Sequence, residues 1–326
     1  LFWVFNRSQT DDHGCLNIDP IMILKKIKYA LKGFIRDFRG KEDYWHIRTQ
    51  ARNGLKDENQ LEYFLDFSKK AEYPFKYQDR IPIVFIDSKP TIFPITVFNY
   101  GLGLIDAHLA GKDMLVKIKS IYEWTVRAQT KDGFWLSQHE SEYWGLKSGW
   151  KSAMAQGLAI SFLYRCYKMG VTNRQNLDST ITNAISAMFS SDLINITEDG
   201  IILQEYQGTN SNILNGFIFA MYGLYDYGRY SDDYNYYENA LSTLLKILPQ
   251  YCFHRWTYYS TGGILASNFY HYLHIEQLKA LNELSPNDTL TYYSSLWEKG
   301  LKKQKYYVLL KSFQKIYTFK SVNTLD

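Results

Sequence analysis

From about residue 96 onward the chain repeats one pattern, apolar positions at helical spacing followed by a short polar link. The segments run over 96–110, 113–129, 151–169, 174–190, 212–228, 232–247, 265–284 and 288–317. Short links keep neighbours in sequence close in space, so successive segments are expected to pack as antiparallel pairs. Pairs of this kind can close into a ring of inner and outer helices. No self-similarity at a fixed period is visible, which argues against a regular solenoid.

The pattern is interrupted at 130–150, "TKDGFWLSQHESEYWGLKSGW", which reads as a hairpin or covering loop. Ahead of residue 96 the texture is mixed. Residues 20–38 follow Pro20 with helical spacing and a basic outer face, as an amphipathic helix against the core or, less simply, a membrane-surface helix. A helix is predicted at "ENQLEYFLDFSKKA", 58–71, and extended strand or loop at 81–96, where three prolines separate short β-branched runs.

Composition narrows the function classes. With 46% apolar and 21% charged residues, the chain is an ordinary globular one. Its net charge of +4 and the lack of any run of five like charges give no footprint for nucleic acid. No apolar run is long enough to span a bilayer. The opening "LFWVFNRSQTDDHG" shows neither the charged start nor the cleavage site of a signal peptide, and localisation stays open. Cys15, Cys166 and Cys252 match no zinc or redox spacing and read as buried small hydrophobes. The 28 tyrosines either suit a surface that holds sugar rings or reflect a biased composition.

Polar and aromatic groups cluster where three helices should begin. In "SGWKSAMAQGLAISFLYRCY", 148–167, Ser152, Ala153, Ala155 and Gly157 are small enough for a ligand or a neighbouring backbone to approach, with Gln156 among them. In "QEYQGTNSNILNGFIFAMYGLYDYG", 204–228, Glu205 and Tyr206 precede an apolar helix entered through Asn215, itself a natural N-cap. In "RWTYYSTGGILASNFYHYLHIEQLKAL", 255–281, Tyr258, Tyr259, Tyr270, His271, Tyr272 and His274 crowd together. His271 and His274 stand three apart, a spacing that permits metal binding but is more often structural when no third ligand is evident. Asp11, Asp12 and His13 could bind calcium, though a solvated tail is the simpler reading.

These stretches, with the looser "FPITVFNYGLGLID" at 93–106, resemble the C-terminal catalytic domain of the D-glucuronyl C5-epimerases. The likeness covers 93 to about 284 in the family's order. It implies a mainly α fold, an (α/α) toroid or barrel of antiparallel helix pairs over 96–326, with a small helical and β-containing N-terminal extension over 1–95. The implied substrate is an anionic, glucuronate-containing polysaccharide such as heparosan, and no cofactor or metal is implied. A homodimer is left open. By position the resemblance implies Glu205, Tyr206, Tyr259 and Tyr270 as catalytic groups, with Tyr258 an alternative to Tyr259. It implies substrate contacts at Asn215, Ser152, Ala153, Met154, Gln156, Tyr258, Asn268, His271 and Arg255. Gly262 stands where vertebrate members carry an Arg, whose place Arg255 or His254 is expected to take from the other side.

Epimerisation at C5 removes a proton from the carbon beside a carboxylate and returns one to the opposite face. It requires neutralisation of the carboxylate and a proton-transferring group on each face. Two tyrosines can serve as phenol and phenolate, with Tyr206 and Tyr270 expected on opposite faces, Tyr259 assisting and Glu205 relaying protons. A polysaccharide lyase would abstract the same proton and then eliminate. A glycosidase needs a second carboxylate, for which Glu276, Asp226 or Glu140 are the weak candidates. A non-catalytic uronate-binding protein would use the tyrosines only for stacking.

Overall fold

The computed structural model describes residue 35, residues 43–57 and residues 60–318. The Asp11–His13 cluster, Cys15 and most of the 20–38 helix lie outside the described residues. Two units are distinguished. The larger spans Glu42–Lys302, and the smaller combines Leu1–Lys41 with Lys303–Asp326.

The larger unit is mainly helical. After a 3-10 turn at Tyr44–His46 come a one-turn helix α1 (Ser68–Ala71) and an antiparallel meander of β1 (Lys76–Gln78), β2 (Ile81–Ile86) and β3 (Lys89–Thr91). The helical body then follows: α2 (Pro94–Leu109), α3 (Leu115–Ala128), α4 (Ala153–Lys168), α5 (Arg174–Met188), α6 (Leu214–Ser231), α7 (Asn235–Ile247), α8 (Asn268–Leu284) and α9 (Asp288–Leu301). Two hairpins are inserted, β4 (Ile194–Thr197) with β5 (Gly200–Leu203), and β6 (Cys252–Phe253) with β7 (Trp256–Thr257).

Alternate helices differ in character. In α2, α4 and α6 nearly every residue is buried, and α8 is buried over most of its length, as expected of helices apolar around most of their circumference. The helices α3, α5, α7 and α9 bury one stripe and expose the other. The buried helices pack in sequence, α2 on α4, α4 on α6 and α6 on α8, each with its amphipathic follower. The tightest crossing is α4 on α6, where a β-carbon on Gly157 would stand 2.6 Å from the Ala220 Cα and the Phe219 carbonyl oxygen. Gly157 of "SAMAQG" therefore serves backbone approach between α4 and α6.

Pro94 at the first position starts α2, so the extended stretch expected over 81–96 ends before it. The pattern at 288–317 is two helices, α9 and α10 (Gln304–Thr318), separated by a turn at Lys302 and Lys303, with α10 in the smaller unit. The hairpin at 194–203 was not anticipated.

The helix expected over 58–71 is reduced to α1. Buried side chains take the backbone groups a helix would have paired. The Asp106 carboxylate accepts from the Tyr63 and Phe67 N–H groups at 3.0 and 2.8 Å. Arg165 donates to the Leu61 and Glu62 carbonyls at 2.8 and 3.1 Å, and its Nη1 pairs with Asp226 at 2.6 Å. Asp66 N–H and Arg52 N–H complete the exchange with Gln50 and Phe64 carbonyls. Local apolar spacing is overridden by these long-range partners.

Candidate active site

Glu205 and Tyr206 follow β5 in a loop whose backbone is set by Asn212. That residue has a left-handed φ of 46°, and its side-chain oxygen accepts from Gln204 at 2.8 Å and Asn195 at 3.0 Å. Its amide donates to Thr261 at 3.2 Å, and Tyr251 donates to its carbonyl at 2.8 Å. The Gln204 carbonyl accepts from Ala153 N–H at 2.9 Å, fixing the loop to the start of α4. The polar run before α6 thus anchors the two residues that follow β5.

Asn215 lies inside the first turn of α6, whose N-cap is Ile213, so it does not cap the helix as expected. Its Nδ2 instead donates to Glu205 Oε2 at 3.3 Å, and its Oδ1 is buried with no partner. Glu205 is 5% exposed. Burial pushes its carboxyl up to about 7, against hydrogen bonds from Tyr206 and Asn215 that favour the anion.

Tyr206 is covered by the 130–150 loop. Trp144 stacks on its ring at 4.7 Å between centroids and Trp150 leans on it at 5.4 Å. Desolvation, with the Glu205 and Tyr270 charges, raises its hydroxyl well above the ordinary tyrosine value. Tyr259 is raised likewise, first by desolvation and then by Glu205, Tyr270 and Tyr206. Both phenols are therefore neutral at rest.

Tyr259 sits in the strand-like segment after β7, where its carbonyl accepts from Leu214 N–H at 3.2 Å at the mouth of α6. Its ring meets Tyr270 at 4.8 Å and their hydroxyls are hydrogen-bonded. Tyr258, on the other face of the same segment, packs on Phe253 at 5.6 Å. The alternation separates two residues that the sequence leaves tied: Tyr259 joins Tyr270, and Tyr258 does not.

A cavity of about 250 Å³ is lined by Glu205, Tyr206, Asn215, Met154 and Tyr270. Further lining residues were not singled out individually in the sequence: His46, Thr49 and Lys70, and Asn99 and Phe269 within the stretches at 93–106 and 255–281. His46 holds Asp43 at 2.6 Å and meets Phe269 and Tyr270 edge-on at 5.0 and 6.2 Å. All the lining residues belong to the larger unit.

Other expected contacts are placed elsewhere. Ser152 caps α4, accepting from Ala155 N–H at 3.3 Å. Ala153 is fully buried in the helix core. Gln156 is consumed by neighbouring backbone, donating to the Gly133 carbonyl of the covering loop at 2.8 Å and to the Ala184 carbonyl of α5 at 3.3 Å. His271 and His274 both reach Thr257 Oγ1, at 3.1 and 3.0 Å, and His271 Nε2 meets the Trp297 carbonyl at 3.0 Å. Desolvation drops His271 to about 3, so it is a neutral core group rather than a wall of the cavity. Asn268 starts α8 away from the cavity lining, with its Oδ1 buried and unpartnered. Arg255 and His254 form the exposed turn between β6 and β7.

The carboxylates weighed as glycosidase partners are also occupied. Asp226 pairs with Arg165, Glu276 accepts from Ala51 N–H at 2.9 Å, and Glu140 pairs with Lys147 at 3.5 Å. Among the described residues, Glu205 is the sole carboxylate lining the cavity.

The chain is similar over 210 residues to the D-glucuronyl C5-epimerase of Caenorhabditis elegans, with 27% identity covering 54% of this chain and 33% of that protein. It is 24% identical over 176 residues to an uncharacterized protein of Methanocaldococcus jannaschii, covering 49% of this chain and 55% of the relative. The matches thus span from a third to about half the length of these curated relatives. The family described as D-glucuronyl C5-epimerase C-terminus matches residues 129–299, which carry the Glu205-Tyr206 pair, Asn215, Tyr259 and Tyr270. With just over half of its length matched, the chain belongs to that C5-epimerase family.

Proposed function

We propose that this protein is a cofactor-independent uronosyl C5-epimerase, converting D-glucuronate to L-iduronate units within an anionic polysaccharide. The observation that carries the reading is the shared cavity. Tyr206, from the loop after β5, and Tyr270, from the first turn of α8, line one space together with Glu205. The volume is below the roughly 300–1,000 Å³ of sites for drug-sized molecules, which suits a single sugar ring.

On this reading each proton has a donor and an acceptor. Tyr206 Oη takes the C5 proton while passing its own hydrogen-bonded proton to Glu205, whose elevated pKa near neutrality suits that exchange. The electron pair of the broken C–H bond moves into the carboxylate as an enediolate. Tyr270 then donates its phenolic proton to C5 from the other face and is resupplied by Tyr259 through their hydrogen bond. Water returns a proton to Tyr259 and removes one from Glu205. The hydrolysis alternative receives no comparable support, since a second cavity carboxylate is lacking among the described residues, whereas elimination starts from the same C5 deprotonation and is distinguished by its product. We further infer that the row of helix pairs closes as an (α/α) toroid around this cavity.

NMR of a heparosan-type glucuronate polymer incubated with the protein in heavy water tests the proposal. Deuterium at C5 with iduronate signals is expected. An unsaturated product would assign a lyase, and polymer binding without exchange would assign a binding protein.

A further inference from the structure

C5 deprotonation also needs a cation or strong donor at the carboxylate, because the developing negative charge is delocalised there. Arg255 and His254, the residues expected to supply it, are exposed in the β6–β7 turn. The cavity instead contains a lysine from the N-terminal part of the unit. Lys70, on α1, is 5% exposed and lines the same space as Tyr206 and Tyr270. Among the described residues its Nζ donates once, to the Tyr44 carbonyl at 3.2 Å, and it lies over the Tyr44 and Phe67 rings at 4.7 and 5.3 Å. An ammonium has three donor hydrogens. Among the described residues no carboxylate comes within ion-pair distance of it, the charge of Asp43 acting only from farther away.

The fold holds this residue in place. A β-carbon on Gly103 would stand 2.6 Å from the Phe67 carbonyl oxygen and 3.0 Å from the Ala71 nitrogen, so the bare backbone of α2 lets α1 lie against it. One turn earlier on α2, Asn99 lines the cavity with its Oδ1 buried and unpartnered, and Thr49 Oγ1 is in the same condition. A buried cation with no anion and buried oxygens with no partner are each costly, and native structures leave few of them. Here they converge on one cavity, together with Asn215 Oδ1. An anionic, hydroxyl-bearing ligand would complete all of them.

We propose that Lys70 is the cation that pairs with the uronate carboxylate, with Asn99 and Thr49 hydrogen-bonding the oxygens of the same sugar. The assignment rests on the epimerase reading above. Burial lowers Lys70 to about 7, against the attraction of Asp43, and an arriving carboxylate would restore its charge. Lys70, Asn99 and Thr49 all precede residues 129–299, so this half of the site is supplied by chain outside the family match.

The test compares wild type with K70M, K70Q and K70R, following C5 deuterium incorporation into a heparosan-type polymer and competition by a carboxyl-reduced polymer. K70M and K70Q are expected to lose on the order of a hundredfold in kcat/KM, as when one transition-state donor is removed. K70R should recover part of the loss. Wild type should strongly prefer the carboxylate polymer over its reduced form, and K70M should bind the two alike, a change that mere loss of packing would not cause. K70Q serves as the measurement if K70M does not fold. The assignment is overturned if wild type exchanges C5 while K70M or K70Q stays within about threefold with discrimination intact. If wild type exchanges nothing and forms no unsaturated product, the epimerase reading itself fails, and the role of Lys70 falls with it.

Discussion

Gly216 lies beneath the side chain of Glu205, so close that a β-carbon at 216 would stand 2.5 Å from the Glu205 Cβ. The second residue of "NG" in the α6 entry is thus a seat for the carboxylate, while the first, Asn215, donates to it. In an exposed helix, Gly to Ala would add roughly 0.5–1 kcal/mol of stability. Here G216A is expected to cost about 1–3 kcal/mol through overpacking. It should also lower C5 exchange on the order of a hundredfold by displacing Glu205. Chemical denaturation and deuterium incorporation read the two effects separately.

Removing single hydroxyls separates the tyrosines. Y206F and Y270F are each expected to lose about 10²–10⁴-fold in turnover, as when a positioned acid or base is deleted. Y259F should lose less, because it acts through Tyr270. Y258F, whose ring faces Phe253, should exchange C5 at close to the wild-type rate. Initial rates of deuterium uptake in the four variants check this order, and a Y258F loss equal to that of Y270F would contradict it.

Glu205 and Lys70 give opposite pH dependences of stability. Glu205 titrates near 7 when folded and near 4.5 when unfolded, so between those values the folded state holds more protons and stability falls as pH rises. Lys70 titrates near 7 when folded and near 10.5 when unfolded, so above 7 the unfolded state holds more protons and stability rises with pH. The difference between wild type and E205Q should therefore change between pH 4.5 and 7, and that between wild type and K70M between 7 and 10.5. At most the change is about 3 kcal/mol for Glu205 and about 5 kcal/mol for Lys70. Denaturant midpoints across pH measure both, and a difference curve that stays flat in its window would refute the burial argument for that residue.

The Arg165–Asp226 pair joins α4 to α6 and carries the carbonyls of Leu61 and Glu62. R165M would leave Asp226 buried without its cation and is expected to destabilise the fold by about 3–5 kcal/mol. The double change R165M/D226L removes both charges and should recover much of that loss. Denaturation of the two variants decides whether the pair acts through charge or through shape.

Local spacing determined the order of the helices, because apolar periodicity is written along the chain, and the resemblance carried by the stretches around Glu205, Tyr206, Asn215 and Tyr270 singled those residues out as chemistry-bearing. What faces the cavity was decided by tertiary structure. Tyr258 and Tyr259 are equivalent in sequence until pairing with the α6 entry fixes which side each faces. The small residues of 152–157 are equally suited to a ligand or a helix, and the backbone of α6 settles the choice for Gly157. Lys70 is the clearest case. In a polar stretch a lysine reads as solvated, and only Gly103, Asp106 and Arg52, distant in sequence, bury the segment that carries it. Burial is a property of partners brought together by folding, so the charge that the proposed reaction needs could not be found along the chain.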